Sequence, residues 1–406
     1  MTQSFDTDIL IIGGGANGAA FALAAAKAGL RSVLLDASPE ARRRDPGFDG
    51  RAYALAAASM NFLRAVAVWP MVAAHAQPFS AIEIYDGRLG DPGPLRLRFE
   101  RDALDRAPFA ALLEDRYLRN ALLDAVAASP LIDHRAPAPV RDASPEGVVT
   151  LESGETLRAP LVVACDGRRS RIASAAGVRW TGRTYDQTGL VCAVDCAIPH
   201  QGVARQVFYP SGPFAMLPLP GDRVSVVWSE RTAEAARIAA LDDRAYAAEI
   251  ALRAGGMLGA VRLAGRRWAY PLMLALAYAY VAPRLAVLGD AAHAVHPIAG
   301  QGLNLGLRDA AALAQVLAEA RRRGEDIGAP DVLARYQRWR RFDGTTFGAG
   351  MDGLNRLFST DAAPVRALRD LGLAVVDAAP GLKAAFMAAA RGAAGDTPNL
   401  LRGAAP

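Results

Sequence analysis

Two stretches of this 406-residue chain hold residues whose type and spacing could do chemistry. Gly13, Gly15 and Gly18 form the pattern G-x-G-x-x-G, with Ala16 and Asn17 between them, and Asp36 follows eighteen residues after Gly18. Far downstream, "GDAAHAVHPIAGQGLNLG", Gly289 to Gly306, combines an acid, two histidines, a proline and four glycines. Glycines spaced in this way let a backbone turn sharply and approach an anion, and a helix that starts there offers free N–H groups and a partial positive charge. Neither stretch sets a nucleophile beside a base or pairs two carboxylates. The chemistry on offer is the holding of a nucleotide cofactor.

The elements around the first stretch suit that use. Ile9 to Ile12 is a continuous apolar run, as in a parallel strand buried on both faces. Ala19 to Ala28 has helical composition, Gly29 ends it, and Arg31 to Leu35 reads as a second strand with Asp36 at its end. Gly13 allows the tight turn, Gly15 lets the backbone approach a pyrophosphate, and Gly18 lets helix and strand pack closely. An acid at the end of the second strand accepts ribose hydroxyls and disfavours a 2′-phosphate, which points to FAD or NAD rather than NADP. "RLAVLGD" is another buried strand, ending in Gly289-Asp290, and a long helix begins near Gln301. This second edge can take the other half of a dinucleotide: an acid for a sugar-like chain, and a helix N-terminus for a heterocycle that gains negative charge. A flavin has that need and a nicotinamide does not. His293 and His296 stand three apart before Pro297 with no third ligand nearby, so no metal site is expected.

The rest of the chain must position these edges. Residues 82–99 read as a small antiparallel excursion turning at Gly90 to Gly93, and 112–128 as a helix. "GVVTLESGETLR" reads as a hairpin, and Leu161 to Ala164 as a buried strand running into Asp166. Period-two alternation recurs between 181 and 270, with one helix expected over 231–254. From Asp331 the pattern is helical, with breaks at Gly344, 361–364 and 380–381. Cys192 and Cys196 share one strand face and suit core packing, and Trp228 and Trp268 suit core or pocket wall.

Composition narrows the class. The chain is 52% hydrophobic and long enough for two cores. Its net charge of +5 is nearly all arginine, with Lys27 and Lys383 the only lysines. The runs Arg42 to Arg44 and Arg321 to Arg323 read as solvated faces or helix ends, so nucleic acid is not an expected partner. Three cysteines without metal spacing point to a reducing compartment, the cytoplasm. No signal peptide is visible, and the late apolar run "PLMLALAYAYVAP" is too short to span a bilayer. The amphipathic tail over 365–392 suits packing on the protein's own body, a partner enzyme, or the inner face of a membrane.

Over nearly its whole length the sequence resembles the FAD-dependent aromatic hydroxylases (class A flavoprotein monooxygenases), and within them the ubiquinone-biosynthesis hydroxylases. "GGGANG" with Asp36 resembles the first motif, with Ala16-Asn17 where Pro-Ala is usual. "RAYALAAASMNFLRAVAVW" keeps Arg51, Ala54-Leu55, Ser59, Leu63 and Trp69 of a second, and departs at Ala56 and Ala67. "EDRYLRNAL" resembles a third, with Asp115 for Asn, and "ACDGRRSRIA" an Asp-Gly motif. "ARQVFYPSGPFAMLPLP" and "SVVW" are similar to sheet signatures of the ubiquinone subgroup. "GDAAHAVHPIAGQGLNLGLRD" matches the flavin motif almost without departure.

The resemblance implies an α/β (overall α+β) fold. A Rossmann-like FAD domain (1–75, 100–180, 281–330) would be interrupted by a mainly antiparallel β substrate domain (76–99, 181–280), with a helical C-terminal region (331–406). It implies that Asp290 binds the ribityl chain, that Gly289 opens that contact, and that Pro297 sits beside the flavin ring. Gly300, Gln301, Gly302, Leu303 and Asn304 would present backbone and side-chain contacts to the ring. Arg51 and Arg119 would face the phosphates or ribityl, and Asp166 the cofactor and pyridine-nucleotide region. The implied reaction is hydroxylation of a polyprenylated phenol through a flavin C4a-hydroperoxide, with O2 as co-substrate and NAD(P)H or an electron-transfer protein as reductant. Other ubiquinone-biosynthesis enzymes are candidate partners. Tyr185, Tyr209 and His296 are the candidates for a base. "FAMLPLP", "YPLMLALAY" and Val191 suit an apolar tunnel or plain core. A hydroxylase of a soluble aromatic compound, a prenyl reductase and an FAD-bound scaffold without turnover are the alternatives.

Overall fold

A parallel sheet carries the nucleotide-facing edge. In the computed structural model, which describes residues 4–100, 108–296, 300–359, 372, 376, 379–392 and 395–406, its strands run in the order Val281–Ala282, Leu285–Val287, Leu161–Ala164, Ile9–Ile12, Ser32–Leu35, Ile132–Arg135. All but the first, antiparallel strand are parallel to their neighbours. Ile9 to Ile12 are buried throughout, as the unbroken apolar run requires of a strand covered on both faces. Burying each such aliphatic side chain stabilises the fold by about 1.5–3 kcal/mol. Gly13, Asp166 and Gly289 follow the C-terminal ends of three adjacent strands, the edge where open α/β sheets bind ligands.

The second layer is a nine-stranded, mostly antiparallel sheet centred on the long strand Trp180–Cys196. Ala81–Asp86 and Leu95–Glu100 join its edge, through a parallel pairing of Ala81–Asp86 with Val203–Tyr209. One face carries Leu190, Cys192, Phe214, Met216, Val226 and Trp228 against the helices Thr232–Ala239 and Asp243–Ala254. These are two helices where one was expected. Asp242 caps the second by accepting from the Ala245 N–H, so the chain restarts there. The helix expected from 112 begins at Asp115, because Ala110–Glu114 pairs as a strand with Ala52–Ala56.

Gly344 does not break the late helix, which runs unbroken over Pro330–Phe358. A Cβ at Gly344 would collide with the Tyr280 hydroxyl, so the glycine serves close approach rather than termination. The expected break at 361–364 lies outside the described residues, and at 380–381 Pro380 opens a further helix, Pro380–Ala390. Pro330–Phe358 is a brace across both layers. Near its start, Arg340 Nε lies 2.7 Å from Asp309, with both side chains fully buried. Near its end, Asn355 donates to Gln187 in the long strand.

Asp309 sits on the helix Gly302–Arg322 and gathers Arg340, the Gly289 N–H (3.0 Å) and His293 Nε2 (2.6 Å). Burial alone would raise its carboxyl, but His293 and Arg340 hold it below the usual range. Replacing Asp309 by alanine leaves the buried Arg340 with Asp343 as its only carboxylate among the described residues. We expect Asp309→Ala to cost about 3–5 kcal/mol, read as a large drop in thermal midpoint, and Asp309→Asn to cost less. An unchanged midpoint would contradict the brace.

Candidate functional site

The helix Ala16–Lys27 begins at Gly15 with no side-chain cap and no acid in its first turn, so its leading N–H groups are left for a ligand. Gly13 takes a φ of +105°, and a side chain there would strike the Cys165 carbonyl. Gly18 abuts the Gly13 carbonyl, whereas nothing lies within 4 Å of a Cβ built at Gly15. Asp36 is buried at the next strand end, where its carboxylate accepts from the Ser38 N–H. Arg43 lies 2.5 Å from Asp36 and also donates to the Gly14 carbonyl. Arg43 does close the short helix Glu40–Arg43, as the reading of a solvated face or helix end allows, but its pairing with Asp36 is one that no local pattern foretells.

The helix Gly302–Arg322 repeats the arrangement. Gln301 precedes it without a side-chain cap, its first turn has no acid, and the space beside Gly302 is open. Gly300 has a φ of +61° and Leu303 is buried. The two helix starts meet through Asn17, whose side chain fills the space that a Cβ at Gly289 or at Gly306 would need. Asp290 is exposed beside this contact and raises the Tyr53 phenol by its charge, after burial and Asp115. Asp166 packs behind the Gly13 turn, with its Oδ1 buried and unpartnered. The Asn304 side chain corrects an expectation. Its oxygen accepts from the Ala56 N–H and Ser59, and its nitrogen donates to the Ala54 carbonyl and Gln301. With that amide fully engaged, the contribution it can make to a ring is through its backbone. Pro297 lies outside the described residues.

Arg51 and Arg119, far apart in sequence, converge on one oxygen of the buried Asp115, at 3.2 and 2.5 Å. Tyr53 donates to its other oxygen. Asp115, which in the sequence stood out only as a departure from Asn, is the hub of this cluster. Arg51 also lies over the Trp268 ring at 5.0 Å, and Trp268 Nε1 donates to the Asp49 carbonyl. These contacts bring one face of the wide sheet against the nucleotide layer. Ala215, Val227, Val191 and Trp268 form a cross-strand row on that face. Phe214 and Met216 of "FAMLPLP" point to the opposite core instead.

The three candidate bases separate. Tyr209 is corrected: it packs in the far core and donates to the Arg253 carbonyl at 2.5 Å, away from both glycine motifs. Tyr185 donates to Asp352, and burial followed by that bond pushes its phenol well up. His296 is buried edge-on to Tyr185, with ring centroids 5.2 Å apart, and neither ring nitrogen has a partner. Among the described residues, no three His, Cys, Asp or Glu side chains gather as a metal set.

The FAD binding domain family model matches residues 6–344. The chain is 41% identical to the ubiquinone hydroxylase UbiL of Rhodospirillum rubrum, over 98% of this chain and 92% of that protein. It is 34% identical to 3-demethoxyubiquinol 3-hydroxylase of Escherichia coli, over 93% and 96%. In fold it is similar to p-nitrophenol 4-monooxygenase PnpA of Pseudomonas putida, with a TM-score of 0.78 at 21% identity over 95% and 97%. The chain belongs to the FAD binding domain family. It is an FAD-dependent aromatic-ring monooxygenase of the ubiquinone-hydroxylase group.

The site of this FAD monooxygenase fits its cofactor: two uncapped helix starts, an acid beside each, and open space at Gly15 and Gly302. Gly15→Ala should leave the thermal midpoint of the apoprotein nearly unchanged and weaken FAD binding at least tenfold, read by quenching of flavin fluorescence. Gly18→Ala should destabilise the apoprotein itself, since its methyl group would meet the Gly13 carbonyl. Equal effects of the two on apoprotein stability would contradict this division. Burial lowers His296 from its ordinary 6.5 to about 4, with Asp352 opposing. The unfolded chain therefore takes up this proton first. The associated stability is complete above pH 6.5 and falls as pH drops toward 4, by at most about 3 kcal/mol. Urea midpoints at pH 7 and pH 5 should diverge for the wild type and less for His296→Phe; parallel shifts would contradict a buried neutral imidazole.

Proposed function

We propose that this chain hydroxylates the ring of a polyprenylated phenol on the route to ubiquinone. The observation that carries the reading is the pair of open helix starts held together by Asn17, together with an apolar row on the wide sheet that Trp268 joins to Arg51. The names of the relatives, a ubiquinone hydroxylase and a demethoxyubiquinol hydroxylase, support the substrate class.

Bound FAD, reduced by NAD(P)H or an electron-transfer protein, would supply the two electrons that activate O2, one atom of which enters the ring while the other leaves as water. The first helix start would hold the pyrophosphate, Asp36 the adenosine ribose, and Asp290 the ribityl chain. The Gly302 helix start would stabilise negative charge on the reduced ring system. Arg51 and Arg119, fixed by Asp115, would keep positive charge beside the cofactor without swinging into the substrate space. Val191, Val227 and Trp268 would wall the ring and keep water out, which protects the oxygen-transfer step from wasteful decay. An apolar substrate chain also favours contact with a membrane surface. No single helix among the described residues is long and apolar enough to cross one, although the bent pair Ala57–Ala65 and Trp69–His75 passes by length and composition together.

The test is an absorbance spectrum of the purified protein and mass spectrometry of quinone precursors in a deletion strain with and without the gene. We expect a flavin spectrum and a precursor lacking one ring hydroxyl that the restored gene clears. Bound flavin with an unchanged quinone pathway would overturn the ubiquinone assignment in favour of a soluble aromatic substrate. Restoration by a variant that binds FAD but does not turn over would indicate a scaffold.

A further inference from the structure

The two histidines of the Gly289–Gly306 motif meet different fates. His293 Nε2 is bound to the buried Asp309 carboxylate. His296 is 1% exposed, and both of its ring nitrogens are buried without a hydrogen-bond partner among the described residues. No other histidine of the five is left in that state: His200, for comparison, uses both nitrogens on backbone groups. A buried polar atom left unpaired costs about 1–3 kcal/mol, so a ring with both nitrogens bare points to a ligand that pairs with at least one of them.

Its surroundings limit what that ligand can be. The ring sits where the motif, one residue before Pro297, meets the bulge of the long strand between Thr184 and Thr188. Tyr185 from that bulge packs edge-on against it. The charged group that acts on it is Asp352 of the brace helix. Asp352 is already engaged by Tyr185, Arg183 and Arg356. Burial keeps the imidazole neutral at physiological pH, with one N–H donor and one acceptor. An anionic ligand would need the cationic ring and is disfavoured. A neutral hydroxyl on an otherwise apolar molecule matches the acceptor nitrogen of a dry, neutral imidazole.

We infer that His296 is a substrate-binding residue that accepts a hydrogen bond from the phenolic hydroxyl and so fixes which ring carbon faces the cofactor. The inference rests on the phenol reading given under the proposed function. The bond would draw the hydroxyl proton toward the ring nitrogen and raise electron density at the ring carbons ortho and para to the oxygen, the carbons that an electrophilic oxygen attacks.

The experiment uses the FAD-loaded protein, 2-geranylphenol and its methyl ether, with binding read from the perturbed flavin spectrum and FAD affinity measured separately. The wild type should bind the phenol about tenfold more tightly than the ether. His296→Phe should retain FAD and lose that preference, and His296→Gln, whose amide can also accept and donate, should recover part of it. Equal binding of phenol and ether by the wild type overturns the inference while leaving the substrate class standing. Binding of neither overturns both. Loss of FAD by His296→Phe in step with loss of the phenol would assign the nitrogens to the cofactor and overturn it. An undiminished preference in His296→Phe would do the same. Should His296→Phe fail to fold, the wild-type comparison and His296→Gln decide.

Discussion

The wedge of Asn17 between Gly289 and Gly306 is the contact on which the rest of the site depends. One short side chain from the first helix lies where two later glycines have none, so the helices Ala16–Lys27 and Gly302–Arg322 begin side by side. Each start is uncapped, and their partial positive charges face the same edge of the parallel sheet. A larger residue at either glycine would push these starts apart and separate the two halves of a dinucleotide site.

That edge is held from behind. Asp309 takes the Gly289 N–H, His293 and Arg340 into one buried charge cluster, so the strand end that carries Asp290 is tied to the long brace helix. Breaking one member of such a cluster is costly because its partners stay buried. The brace then reaches the wide sheet through Asp352 and Asn355. The parallel-sheet edge and the wide sheet are thus tied to one helix. That suits a reaction whose outcome depends on which ring carbon meets the cofactor and on keeping water away.

The front of the site is arranged by charge. Asp115 draws Arg51, Arg119 and Tyr53 together, and Arg51 passes the restraint on to Trp268 in the other layer. Arg51 and Arg119 are therefore fixed by one carboxylate rather than free to swing. His296 stands apart from this network. It is buried and neutral, and among the described residues neither ring nitrogen has a hydrogen-bond partner.

The sequence by itself determined the local units: the glycine turns, the strands that feed them, the acids at their ends, and the family to which they belong. Such features are legible because a tight turn or a helix start is encoded within a few adjacent residues. Only the tertiary structure decided which residues meet. Gly344 reads as a helix break, yet its purpose is to admit the Tyr280 hydroxyl, and a glycine looks the same in sequence for either use. Period-two alternation placed Tyr209 in a strand but could not say which face looks toward the cofactor, because that depends on register with strands far along the chain. Arg43 resembles its neighbours until Asp36 and Gly14 come within reach, and Asp115 is one acid among many until Arg51 and Arg119 converge on it. Burial and pairing are properties of contacts between distant segments, and those contacts exist only in the folded chain.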